Sequence, residues 1–247
     1  MRLSQAWIVA TKDFAMFRKK RNIIYTTFLI PLMISILLPS VLWYTQTKGK
    51  AAASPTELVV LIPSFAFFYL ILAGVIPTTI ASYSIVGEKI ERSLEPLLAT
   101  PTTDAEILLG KGIAATVPPM AAILVGSSLF MFLTDAVTSH ALGYNYFPNW
   151  NAALVLYLMV PLATVMSVEW NVVVSSRVSD VRIAQQLGAI LILPYAAIYV
   201  SGEVNLVNLG DTNNLLIICA TMALVLLLML YVVQATFQRE SILTRWK

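Results

Sequence analysis

One carboxylate, Glu169, stands inside an otherwise apolar run, Met166-Ser-Val-Glu-Trp-Asn171. An ionisable group at membrane depth is costly, so such a residue marks an ion or substrate path or a structural position that water can reach. Arg177 follows about two turns later and offers a cation, which keeps both readings of Glu169 open. A second concentration of charge begins after Gly87, where Glu88, Lys89, Glu91, Arg92 and Glu95 fall within about two helical turns of one another. A third lies at Arg177, Asp180 and Arg182, followed by Gln185 and Gln186. Bond-making chemistry has little material beside these. Cys219 is the only cysteine and sits in an apolar run, so a disulfide or thiolate cluster within one chain is excluded. The only histidine, His140, falls in an expected loop without partners for a metal site. Gly110-Lys111-Gly112 lacks the upstream glycine and the following hydroxyl of a phosphate loop, so ATP has no site here. Neither a catalytic residue nor a metal ligand is expected.

The elements that must position these charges are membrane helices. Of 247 residues 58% are hydrophobic and 12% charged, against roughly 25% charged in a typical soluble domain. Stretches long enough to cross hydrocarbon, which takes about 20 apolar residues, recur along the chain. The expected fold is all-α and polytopic, a single permease domain over 1–247 with six spans near 22–44, 58–86, 107–134, 150–174, 183–200 and 213–235. Prolines recur inside the spans, and Thr78, Thr79, Ser82 and Ser84 follow Pro77 closely, placed to bond carbonyls that the proline frees. Residues 1–21 do not read as a signal peptide, because the basic run Arg18-Lys19-Lys20-Arg21 follows an amphipathic stretch. Leu3, Trp7, Ala10, Phe14 and Phe17 share one helical stripe, with Gln5, Lys12, Asp13 and Lys19 elsewhere, which predicts a helix lying in the headgroup plane.

Charge placement predicts orientation. Arg2, Lys12, Arg18, Lys19, Lys20, Arg21, Lys89, Arg92, Lys111, Arg177, Arg182, Arg239, Arg245 and Lys247 fall on the side of both termini, and only Lys48 and Lys50 fall opposite. The positive-inside rule therefore puts both ends in the cytoplasm. The external loops, near 45–57, 135–149 and 201–212, are too short for a folded outer domain.

Between the second and third spans, residues 87–106 read as an ordered cytoplasmic elbow. Ile90, Leu94, Leu97 and Leu98 share one helical face, while the charges cover the rest, with Glu88 and Arg92 at i,i+4 spacing. Pro96 bends or restarts this helix and Pro101 ends it. Thr103-Asp-Ala-Glu106 then forms a capping box at the start of the third span. A charged elbow at the membrane surface is something a soluble partner can grip.

Glu88-Lys89, Ser93-Leu94-Glu95, Leu97-Leu98, Pro101, Glu106 and Gly110-Lys111 together resemble the hallmark of ABC-2 type permeases, the membrane subunits of ABC exporters. That segment typically runs Glu-Lys-Glu, two residues, Thr-Leu-Glu, Leu-Leu, a proline and later Gly-Lys; here Ile90 replaces the third acidic residue and Ser93 the threonine. Ser176-Arg177-Val-Ser-Asp180-Val-Arg-Ile-Ala184-Gln185-Gln186, with Pro194 behind it, is similar to the family's second cytoplasmic loop. Lys12-Asp13 on the N-terminal helix also resembles the family. The resemblance implies two permease subunits, identical or related, forming a pathway in the inner membrane, with separate ATPase subunits below that bind ATP and Mg. It implies no cofactor on this chain and no nucleic-acid partner. It assigns Glu88, Lys89, Glu91, Arg92, Ser93, Glu95 and Pro101 to ATPase coupling.

Two other classes stand beside this reading. An ion-coupled transporter acting alone would use Glu169 as its carrier group and would call for an inverted repeat, which the sequence does not display. An intramembrane enzyme would require convergent nucleophile, base or metal ligands in the spans.

Overall fold

Helices begin and end where capping residues and prolines permit. In a computed structural model, which describes residues 3–47, 54–91, 102–204 and 206–236, an N-terminal helix α1 (Leu3–Lys19) precedes six long helices. These are α2 (Arg21–Thr47), α3 (Pro55–Ile90), α4 (Asp104–Leu142), α5 (Trp150–Arg177), α6 (Val181–Glu203) and α7 (Thr212–Thr236). The described residues contain helices and connecting turns and no strands. All six helices that follow α1 are long and apolar enough to cross a membrane.

Their boundaries have local causes. Ser54 caps α3 and Glu57 returns the bond to the Ser54 amide. Thr103 and Glu106 do the same for α4, as their spacing predicts. At the far end of α4 the chain continues helical to Leu142, past the expected boundary, and leaves at Gly143 with φ 76°. His140, expected in a loop, therefore lies in the last turn of α4. Asp135, also expected in that loop, is helical and accepts from the amides of Tyr146 and Phe147, closing the turn into α5. A π turn, Val155–Met159, runs up to Pro161 in α5, and a 3-10 turn, Ala189–Leu191, precedes Pro194 in α6. Both absorb the bond that a proline nitrogen cannot donate. The hydroxyls of Thr78 and Thr79 bond the carbonyls of Val75 and Ile76, and Ser82 bonds Thr78, all within the turns flanking Pro77.

The core runs the length of α3 and α5. Its larger cluster joins Leu42, Leu58, Leu70, Phe130, Leu156, Met159 and Tyr195. A second cluster, at the end carrying α1, joins Val9, Ala10 and Phe17 to Ile80, Ile85, Ile107, Ala115, Val172 and Val233. Val233 belongs to the last turns of α7, so both ends of the described chain lie at the same end of the bundle. The other end holds two adjoining cavities of about 240 and 270 Å³, which share Val59, Pro63, Phe67, Leu209 and Gly210 as walls.

Two of these helices, α3 and α4, are much the longest and extend well beyond what a bilayer requires. At 1.5 Å per residue, α3 with 36 residues and α4 with 39 extend about 54 and 58 Å, against a hydrocarbon core of about 30 Å. The charged residues Glu88, Lys89, Glu106 and Lys111 lie at the ends of these two helices.

Candidate functional site

The site forms where α1 crosses the ends of α3 and α4. Gly110 makes the crossing close: a Cβ there would stand 2.5 Å from the Ala6 carbonyl oxygen and 2.8 Å from Val9 Cβ. With that approach Asp13, two turns beyond Ala6 on the same face, lies over Lys111. The inward face of α1 is Ala6, Val9, Ala10, Asp13 and Phe17. This corrects the sequence pattern at Asp13, expected on a polar face and here fully buried; of the apolar stripe, Ala10 and Phe17 face the bundle while Leu3 and Trp7 are exposed.

Four charges meet there. Lys12 Nζ donates to Glu88 Oε1 at 2.7 Å. Lys111 Nζ lies 3.1 Å from Glu88 Oε2, an ion pair without hydrogen-bond alignment. It donates to Asp13 Oδ2 at 3.4 Å and to the Ser84 carbonyl at 2.7 Å. Side-chain exposure is 0% for Asp13 and Glu88 and 1% for Lys111, but 44% for Lys12. Two acids and two lysines cancel, which is the condition for burying them. Burial pushes the Asp13 carboxyl above its usual range; Lys111 opposes the rise, Glu88 adds to it and Lys12 opposes it.

Glu88 and Lys89 thus correct the expectation of an exposed surface helix. They continue α3, which runs to Ile90 instead of ending near 86, and both are buried. Glu88 finds its cations on α1 and α4. Lys89 reaches α5, where its ammonium donates to the carbonyls of Ser175, Ser176 and Val178 at 3.4, 2.9 and 2.8 Å. A cation on the last carbonyls of a helix satisfies acceptors that lack intrahelical donors and complements the negative end of the dipole. Glu91 caps α3 and pairs with Lys20 at 3.1 Å, and that ammonium also lies 4.8 Å from the centre of the Tyr83 ring. Arg92, Ser93, Glu95 and Pro101 lie outside the described residues, as do Leu94, Pro96, Leu97 and Leu98 of the expected elbow helix. The entry to the 92–101 segment is therefore held by α1, α4, α5 and Lys20, the residue that links α1 to α2.

The second loop meets the first through Lys89. Asp180 caps α6, accepting from the Arg182 amide at 2.6 Å. Val86, Val174 and Ala184 pack together beneath it, and Trp170 Nε1 donates to the Leu187 carbonyl at 3.0 Å. Arg177, Arg182 and Gln186 are exposed and Gln185 is half-buried.

Glu169 stands apart from this cluster. It is half-buried on α5, and a Cβ at Gly112 of α4 would meet its Oε1 at 2.8 Å. Glycine at 112 makes room for the carboxylate. Arg177, its expected cation, forms no ion pair with it among the described residues.

The Asp13–Lys111–Glu88–Lys12 cluster was not predicted, although a signal for it existed. Asp13 falls at i+7, i+4 and i+3 from Ala6, Val9 and Ala10, the spacing of a buried stripe, so an acid there required a buried cation.

Six apolar spans, with paired charges binding α1 to the ends of α3 and α4, define a multi-pass membrane protein. The chain belongs to the ABC-2 family transporter proteins, whose family model matches residues 7–178. The match takes in α1 from Trp7 onward, the motif from Glu88 to Lys111 and the bundle as far as the end of α5; of the second motif, Ser176–Gln186, it reaches only Val178. Comparison with curated proteins returned no match.

Proposed function

We propose that this permease is the membrane half of an ATP-driven exporter. Two copies, or one copy and a related chain, form the pathway, and separate ATPase subunits drive it from the cytoplasm through the 92–101 segment. The basic end of the bundle, with both termini, faces the cytoplasm in this reading, as the distribution of arginine and lysine favours. The observation that carries the proposal is the anchoring of Glu88, Lys89 and Glu91. A loop rooted in α1, α4 and α5 passes displacement to several helices at once, whereas a loop on a slack tether would absorb it. ATP and Mg are handled by the partner, and this chain contributes no catalytic group.

The half-buried carboxylate of Glu169, with no ion-pair partner among the described residues, favours a second reading, an ion-coupled transporter working alone. One experiment separates the two. The tagged chain is purified in mild detergent from the membranes of its own host. The exporter reading predicts that a soluble protein bearing a phosphate loop accompanies it in stoichiometric amount. Purification as permease alone, together with ATP-independent proton or sodium flux in vesicles, contradicts that reading.

A further inference from the structure

The outward face of α1 changes character along its length. Leu3, Trp7 and Ile8 are exposed at its start, at 71, 56 and 59%, and Arg18 and Lys19 are exposed at its end. At 100° per residue Trp7, Thr11 and Arg18 form one line on this face, with Ile8, Ala15 and Lys19 beside it. Arg21 follows, also exposed, and by Ile23 the chain has entered the apolar run of α2. A span that starts there fixes the three cations in the headgroup layer. Tyr25, 62% exposed one turn further in, stands where interfacial aromatics anchor.

Among the described residues these cations have no internal counter-charge. Lys12 is taken by Glu88, and Lys20 by Glu91 and the Tyr83 ring. Arg18, Lys19 and Arg21 form no ion pair among the described residues. Asp13 is the sole acidic residue before Glu57, and it is buried on the opposite face. Orientation by the positive-inside rule would be served by the charges alone. It gives no reason for an exposed apolar half on the same helix face, which is the composition of a surface that seats in a bilayer interface.

We propose that the outward face of α1 and the first turn of α2 bind anionic phospholipid of the adjoining leaflet. Arg18, Lys19 and Arg21 contact headgroup phosphates while Leu3, Trp7 and Ile8 seat among the upper acyl chains. Because α1 also carries Lys12 and Asp13, the lipid holds the helix that pairs with Glu88 and Lys111. The inference is independent of ATP-driven export, since the contact requires only this chain and a membrane.

The test is native mass spectrometry of the full detergent-purified chain offered equal amounts of phosphatidylglycerol and phosphatidylcholine. Attraction of each basic residue to an anionic surface predicts at least about fivefold preference for phosphatidylglycerol in the first bound lipid. Arg18→Gln, Lys19→Gln and Arg21→Gln together should lower it to about twofold or less. Arg18→Lys with Arg21→Lys should keep it, and so should Arg177→Gln with Arg182→Gln, which removes exposed cations elsewhere at the same end. Equal binding of both lipids by the wild-type chain overturns the proposal without recourse to any variant. An undiminished preference in the triple variant, or an equal loss in the Arg177/Arg182 variant, overturns it as well.

Discussion

Lys12 and Glu88, 76 positions apart, hold their charged groups 2.7 Å from each other. One partner is half in solvent and the other wholly enclosed, with Lys111 on the far side of the same carboxylate. The two cations therefore differ in weight. A solvent-exposed pair contributes about 0–1 kcal/mol, whereas stripping the partner from an enclosed charge costs about 3–5 kcal/mol.

From this asymmetry Lys111→Met should destabilise the purified protein by about 3 kcal/mol or more, because Asp13 and Glu88 are left facing each other. Lys12→Gln should cost less, about 1–2 kcal/mol, because the enclosed Glu88 loses the hydrogen bond from Lys12 but keeps Lys111 beside it. Adding Asp13→Asn to Lys111→Met should recover part of the loss. Scanning fluorimetry gives the order of the three midpoints; equal losses in the two single variants would dissolve the distinction.

The raised carboxyl of Asp13 fixes the sign of a pH effect. In the folded state it keeps a proton that the unfolded chain releases near the ordinary value of 3.8. Folding thus binds more protons than the unfolded chain does between that value and the raised one, so stability due to Asp13 increases as pH falls through the raised value, and is level below about 3.8. The midpoint of wild type minus that of Asp13→Asn should move upward from pH 7.5 to pH 4.5. A difference that stays fixed or moves downward contradicts the burial of this carboxyl.

Two neighbouring glycines should respond differently to a methyl group. At Gly110 the obstacle is the Ala6 backbone, which cannot step aside without moving α1, whereas at Gly112 it is the mobile end of Glu169. Gly110→Ala should cost about 1–3 kcal/mol by overpacking and open α1 to protease, while Gly112→Ala should be nearly silent. Comparable proteolysis of both variants would remove the close crossing from the account.

Lys89→Met should loosen the turn after Arg177, since three carbonyls lose their donor. A cost of about 1–2 kcal/mol and faster amide exchange over 176–182 are expected, with Lys89→Arg milder. Unchanged exchange in that turn would mean the ammonium contributes nothing there.

Much of this architecture is legible in the sequence because its causes are local. Runs of apolar residues mark the six spans, and Thr103 with Glu106 announces the α4 cap. What escapes is pairing between distant segments. Glu88 and Arg92 are natural partners by i,i+4 spacing, yet Glu88 turns to Lys12 and Lys111 because α3 stays helical past residue 86 and α1 lies across it. The Lys89 cap is equally distant, joining the ends of α3 and α5 across 86 or more positions. Glu169 and Arg177 show the converse, residues close in sequence that the fold does not bring into contact.

The most direct measurement of the central claim, that a separate ATPase drives this permease through the segment rooted at Glu88, Lys89 and Glu91, is cross-linking in intact membranes. A photoreactive phenylalanine is placed at Glu95, and separately at Tyr144 at the other end of the bundle. The account predicts that the label at 95 captures a protein with a phosphate loop, that ATP alters the yield, and that the label at 144 captures none. Capture of lipid alone from position 95, in a chain that is folded and inserted, would contradict it.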